Sequence, residues 1–278
     1  GSVLDALEQS GQADRTFVMF LSDHGMPLPF AKTQLYHHST RTPLMIRWPG
    51  VTQDGAIDRR HMVSAVDFIP TLAEVMGFDP PDGLDGRSFA DLLRGGSQDG
   101  RDYVIKEYNE NAGGNRNPMR AIQTKEFLYI FNPWVDGQRV MATATNGTDT
   151  FKRMRQLAAH DPVIAARVEL MQHRVLEELY DVARDPDCLH NLIDDPEHAE
   201  IADRLRAQLL SAMEASADPI ADLLRHKDDV QLREAYMQRV QAEADARRGR
   251  RRQSKAPSRS DAGAAREGHA GSAQERGP

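Results

Sequence analysis

The run Thr16-Phe17-Val18-Met19-Phe20-Leu21 is almost wholly apolar, and it stops abruptly at Ser22-Asp23-His24-Gly25. A short run rich in aromatic and β-favouring residues reads as a strand buried on both faces, as in a parallel sheet covered by helices. In open α/β sheets, ligands bind beyond the carboxyl ends of the strands, so Asp23 and His24 stand where chemistry takes place. A carboxylate offers a hard oxygen and an imidazole a borderline nitrogen, so the pair can ligate a metal. The alternative is a turn capped by Asp23 beside a surface histidine, and only the context of so short a motif decides between them. Gly25 lets the chain turn sharply.

Upstream, Val3, Leu4 and Leu7 fall on one side of a helix that ends at Ser10-Gly11. Downstream, Met26 to Ala31 contains two prolines and no helical period, which makes it a loop that delivers Lys32. A lysine there suits an anionic substrate, although most lysines are solvated surface residues. His37 and His38 read as a partly exposed pair. Pro43 to Trp48 is a second core strand closed by Pro49-Gly50. Val63 to Gly77 reads as a helix capped by Asp67, with Phe68, Leu72, Val75 and Met76 as its apolar face and Gly77 as its stop. Gly95-Gly96-Ser97 marks a boundary.

The second region opens with a strand over 103–108. A Gly/Asn-rich loop over 109–117 leads into a hairpin of strands 119–123 and 127–131, joined by Thr124-Lys125-Glu126. A last strand spans 178–182. Helical spacing covers 150–159, 163–179 and 199–213, the last with Ile201, Leu205, Leu209 and Met213 in one stripe. A further helix can cover 223–240. From Arg247 the chain has little apolar bulk, so residues 247–278 are expected to be disordered.

At 278 residues and 40% hydrophobic content, the chain can bury one large core or two modest ones. No apolar run is long enough to span a bilayer, and no secretory signal opens the chain. Compartment stays open. The single cysteine, Cys188, excludes an internal disulfide and a multi-cysteine zinc site. Charge is uneven: residues 241–278 carry nine Lys/Arg against five Asp/Glu, leaving 26 against 37 elsewhere. An acidic body argues against broad nucleic-acid binding, and the basic run Arg247 to Lys255 stands apart from it.

Taken together, Ser22-Asp23-His24-Gly25, Lys32, Leu35-Tyr36, Ser39-Thr40-Arg41-Thr42-Pro43-Leu44, Arg47-Trp48-Pro49-Gly50, Asn117-Pro118-Met119-Arg120 and Glu178-Leu179-Tyr180-Asp181 resemble the type I sulfatases of the alkaline-phosphatase superfamily. Met26 to Tyr36 is most similar to the heparan N-sulfatase (sulfamidase) branch. That resemblance implies an α/β, alkaline-phosphatase-like fold: a partial parallel-sheet core followed by a small antiparallel sheet with a packed helix. Residues 1–97 would be the carboxyl-terminal part of the catalytic domain and 98–220 the small-sheet subdomain. A possible helix at 221–246 and a tail at 247–278 would follow.

The resemblance also implies a sulfated sugar as substrate and a divalent cation, Ca2+ or Mn2+, held in part by Asp23 and His24. Lys32 would contact the sulfate or the leaving group. Asn109, Glu110 and Arg120 would be sugar contacts, against a plain structural role in a loop. The sulfamidases have Asn and Arg where His24 and Lys32 stand here, so the N-sulfate preference is left open. The family's nucleophile is a formylglycine made from a Cys/Ser-x-Pro-x-Arg motif. Cys188-Leu189-His190 lacks the proline, and in Ser254 to Arg259 the nucleophile position holds Lys255. The nucleophile is therefore expected in an amino-terminal part outside these residues. A phosphoesterase or phosphonate hydrolase of the same superfamily, and a non-catalytic module binding an acidic partner through its basic tail, are the competing readings.

Overall fold

The computed structural model describes residues 1–111 and 113–255. The first region begins with α1 (Ser2–Gln9), β1 (Val18–Leu21), α2 (His37–Thr40) and β2 (Leu44–Arg47). β1 and β2 pair antiparallel, Val18 opposite Arg47 and Leu21 opposite Leu44. The doubly buried parallel strand expected from the sequence is not formed among the described residues. β1 has β2 as its one neighbour there, and Phe20 is 59% exposed. A strand that is apolar on both faces but paired along one edge leaves apolar surface in solvent. Arg47 ties β2 back to α1, reaching Glu8 at 3.0 Å and the Ala13 carbonyl at 3.0 Å.

The expected helix at 63–77 is a 3-10 turn, Ala65–Asp67, running into α3 (Phe68–Met76) and stopped by Gly77 at φ 74°. Ser64 and Asp67 form a reciprocal capping box, which satisfies the orphan amides of the first turn. The fully buried Asp67 also accepts the Arg87 amide at 2.9 Å and pairs with Arg101. Its job is structural, but Ser64 is the cap and Asp67 closes the box from the third position, accepting the Ser64 amide at 2.9 Å. The buried side of α3 differs from the expected one: Pro70, Thr71 and Ala73 are inside, Phe68, Leu72 and Val75 are half-buried, and Met76 is exposed. α4 (Ala90–Leu93) follows, preceded by the buried Phe89, which meets Phe68 edge-on.

In the second region, β3 (Val104–Glu110), β4 (Arg116–Gln123), β5 (Phe127–Phe131) and β6 (Glu177–Asp181) form an antiparallel sheet in that order. Alternation along the strands sends side chains to two cores. Met119, Ala121, Leu128 and Ile130 face α5 (Asp149–Leu157) and α6 (Pro162–His173) through Phe151 and Met171. Ile122, Tyr129, Phe131 and Leu179 face Leu205, Leu209 and Met213 of α7 (Ala199–Ala215). Burying each such leucine contributes about 1.5–3 kcal/mol. α8 (Ala221–Arg225) and α9 (Val230–Lys255) complete the region.

Two expected ranges are corrected. The helix predicted to reach Leu179 stops at His173, because Arg174 turns to φ 61° and the chain enters β6. The tail expected to be disordered from Arg247 continues α9 as far as Lys255; the remainder, 256–278, lies outside the described residues.

Candidate functional site

β1 ends at Leu21, two residues before Asp23, so the Asp23-His24 pair sits at its carboxyl end. The Ser22 hydroxyl donates to the His24 carbonyl at 2.7 Å and fixes the turn. His24 Nδ1 lies 2.7 Å from the Gly25 carbonyl, and its Nε2 lies 3.1 Å from Asp23 Oδ2. A carbonyl only accepts, so Nδ1 carries the proton. Nε2 is then the nitrogen that faces the carboxylate oxygen, an approach made favourable by a proton or a metal cation between the two atoms. A ring nitrogen fixed on a carbonyl leaves the other turned outward, the orientation that metal-ligating histidines adopt. Both side chains are open to solvent.

The glycine of the motif is dictated by packing. A Cβ on Gly25 would lie 2.4 Å from the Ala31 carbonyl oxygen and 3.2 Å from that of His38. The loop from Met26 to Ala31 therefore folds back onto the strand end, and Lys32 follows directly. Phe30 and Thr33 bracket this lysine in left-handed conformations, φ 62° and 56°, which non-glycine residues adopt at a cost. Phe30 is held there by burial in the second region's core. Phe30 packs edge-on against Tyr36, ring centroids 4.9 Å apart, and the Arg167 guanidinium stacks 3.7 Å from its centroid. Thr145 donates to the Leu28 carbonyl at 3.2 Å.

Beneath the loop lies a buried polar network that sequence reasoning did not find. Glu178 accepts from Tyr36 and Tyr180, each at 2.6 Å, and from Asn132 at 2.8 Å. Arg174 stacks on Tyr36 and donates to Gln34 at 2.5 Å. Burial and the Arg174 and Glu178 charges act on the Tyr36 hydroxyl, and burial dominates, raising its pKa well above the usual value. Beside this network, Gln123 joins Lys106 to His37, with the His37 Nδ1 contact at 3.0 Å. Burial pulls the His37 imidazole down to about 4 and the Lys106 ammonium down to about 7.

The remaining candidates lie elsewhere. Arg120 is 2% exposed and forms a bidentate pair with Asp218, its Nη2 bond being 3.1 Å. It also donates to Asn109 Oδ1 at 3.0 Å. The expected sugar contact Arg120 is thus a buried brace, and Asn109 is its acceptor. Glu110 is half-buried between Arg116, at 3.2 Å, and Arg247. Among the described residues no three His, Cys, Asp or Glu side chains converge as a metal site. Asp23 and His24 fit two ligands of an ion and do not fill its coordination sphere. A cleft of about 1110 Å3 between β2, the 51–63 loop and α4 contains neither of them.

The family described as N-sulphoglucosamine sulphohydrolase, C-terminal, matches residues 23–139. An ulvan-active sulfatase of Formosa agariphila is 29% identical over 211 residues, 75% of this chain and 35% of the relative. Human N-sulphoglucosamine sulphohydrolase is 26% identical over 244 residues, 79% of this chain and 45% of the relative. The chain thus spans less than half the length of these relatives. Among solved structures, BT1596, a 2-O GAG sulfatase, superposes with a TM-score of 0.59 at 24% identity, over 80% of this chain and 41% of the other. The phosphonate monoester hydrolase of Agrobacterium radiobacter reaches 0.53 at 23%, over 76% and 37%. Those likenesses show an alkaline-phosphatase-like fold, and the matched segments make this chain similar to the carboxyl-terminal portion of sulfatases.

Proposed function

We propose that the chain contributes the metal-binding strand end and the substrate-facing small sheet of a sulfatase that hydrolyses a sulfuric ester or sulfamate on a sugar. One observation carries this reading: the 3.1 Å approach of Asp23 Oδ2 to a His24 Nε2 whose other nitrogen is committed to the Gly25 carbonyl. Two electron-rich atoms held so close suit a shared divalent cation. Carboxylate oxygen favours Ca2+, and the imidazole nitrogen also admits Mn2+. Such a cation, when bound, cancels the negative charge of a sulfate. Lys32, on the loop folded against Gly25, orients the same anion through a compact ammonium. The nucleophile belongs to a formylglycine-bearing segment, because these 278 residues contain no Cys/Ser-x-Pro-x-Arg sequence.

Relatives named as sulfatases, including the human N-sulphoglucosamine sulphohydrolase, support a sulfated sugar over a phosphonate. The test is metal titration of the chain by calorimetry with Ca2+ and by electron paramagnetic resonance with Mn2+. Asp23→Ala and His24→Ala should each weaken binding by about tenfold or more. Unchanged affinity in both variants would overturn the assignment. In the full-length protein, Lys32→Ala should lower sulfate release from sulfated glucosamines, with phosphonate esters remaining poor substrates.

A further inference from the structure

Helix α9 brings a second cationic cluster to the Gly/Asn loop. Arg247 pairs with Glu110, which Arg116 also approaches at 3.2 Å. Arg248 donates from Nη2 to the Gly114 carbonyl at 2.8 Å. Its Nε is buried and makes no hydrogen bond among the described residues. Gly114, at φ 76°, has no side chain to cover that guanidinium; a Cβ there would lie 3.4 Å from Nε. Arg116 and Arg247 thus meet on the Glu110 carboxylate, and Arg248, which also lies 3.7 Å from Asp245, joins the same loop at Gly114, forming a shelf on which the Arg247 side chain is 46% exposed.

This shelf is joined to the loop that presents Lys32. Asn111 donates to the Ala142 carbonyl at 2.8 Å, and Thr145, three residues on, holds the Leu28 carbonyl. The surroundings narrow the ligand further. Outside residues 241–278 the chain carries 26 Lys/Arg against 37 Asp/Glu, so a long nucleic acid would be repelled beyond this spot. A short, flexible anion is not. Planar guanidinium groups recognise sulfate and carboxylate oxygens in paired hydrogen bonds.

We propose that Arg116, Arg247 and Arg248 form an anion subsite for a second sulfate or carboxylate of an acidic sugar chain, so that the preferred ligand is a multiply charged oligosaccharide. The subsite extends the sulfatase reading, and its test is kept separate from it by working in chelator, where the Asp23-His24 pair contributes no metal.

A fluorescent heparin-derived octasaccharide is titrated into the chain in EDTA, followed by anisotropy. Arg247→Gln with Arg248→Gln should weaken binding by about tenfold or more, the loss expected of charge-assisted hydrogen bonds. Glu110→Gln should strengthen it, a direction that loss of folding cannot produce. The fully desulfated octasaccharide should bind far more weakly. Unchanged affinity in the double variant, no gain in Glu110→Gln, or equal binding of the desulfated sugar or of a DNA duplex would each overturn the proposal. Loss of metal binding in Asp23→Ala with octasaccharide binding intact bears only on the metal site.

Discussion

The Tyr36 hydroxyl donates a 2.6 Å hydrogen bond to Glu178, a fully buried carboxylate on the last strand of the small sheet. This contact anchors the Lys32 loop to a sheet 142 positions away in the sequence. Glu178→Ala would leave Tyr36, Tyr180 and Arg174 facing a buried vacancy, and breaking a buried charged network costs about 3–5 kcal/mol. Tyr36→Phe removes one hydrogen bond, about 1 kcal/mol. Urea unfolding should show both losses. Hydrogen exchange should show faster exchange over residues 26–34 in Tyr36→Phe with β5 amides unchanged; uniform protection in that loop would show that the contact does not position it.

Gly25 sits too close to the Ala31 carbonyl oxygen to tolerate a side chain, since a Cβ would meet it at 2.4 Å. Backbone must move in Gly25→Ala, and the strand end moves with it. Divalent-cation affinity should fall by about tenfold or more, as for a displaced ligand set. Gly147→Ala is the control, because nothing lies within 4 Å of its Cβ position. Equal affinity in the two variants would show that the close approach does not shape the site.

Lys106 is buried, donating to the Leu35 carbonyl at 3.3 Å and to Gln123, and among the described residues no carboxylate pairs with it. Burial lowers its pKa from 10.5 to about 7, slightly opposed by Cys188. Between those values the unfolded chain holds the proton and the folded chain does not, so stability rises with pH. Below about 7 both states are charged and the burial penalty is complete. The rise is at most about 1.4 kcal/mol per pH unit. Measured by urea unfolding between pH 7 and 9, it avoids the His37 window lower down, from about 4 to 6.5, and stays below the raised Cys188 thiol near 11. Lys106→Met should flatten the rise and be more stable than the parent at pH 7. A retained slope would assign the titration to another group.

The strands, the helix start near Asp67 and the turn after β1 were legible because each rests on a local signal: alternation, a turn sequence or a flip in polarity. Arg174 and Glu178 were not, since a charged residue reads as surface until its partners are known, and theirs include the distant Gln34, Tyr36, Asn132 and Met141. Val175, Leu176 and Leu179 continue a helical spacing, and the pairing of β6 with β5 overrides it. The arginine-rich run from Arg247 is poor in apolar residues and so read as disordered, yet arginine, glutamine and lysine favour helix, and α9 persists as far as Lys255. Burial of β1 cannot be read from its own residues, because it depends on which strands lie beside it.

Arg120 and Asp218 are separated by 98 positions, and the sequence offered no reason to join them. Their side chains are 2% and 5% exposed, so this pair is nearly desolvated. It pins the centre of β4 to the turn between α7 and α8. Asp218→Ala would strand a buried guanidinium, with Asn109 and the carbonyls of Tyr108 and Met119 as its remaining acceptors. A loss of about 3–5 kcal/mol is expected. Replacing both partners with apolar residues, Arg120→Met with Asp218→Leu, removes the desolvation penalty along with the attraction and should recover most of that loss. If Arg120 served as a sugar contact, the double variant would lose oligosaccharide affinity while remaining stable. As a brace, it should fold and bind like the parent, and calorimetry with the octasaccharide beside urea unfolding separates the two outcomes.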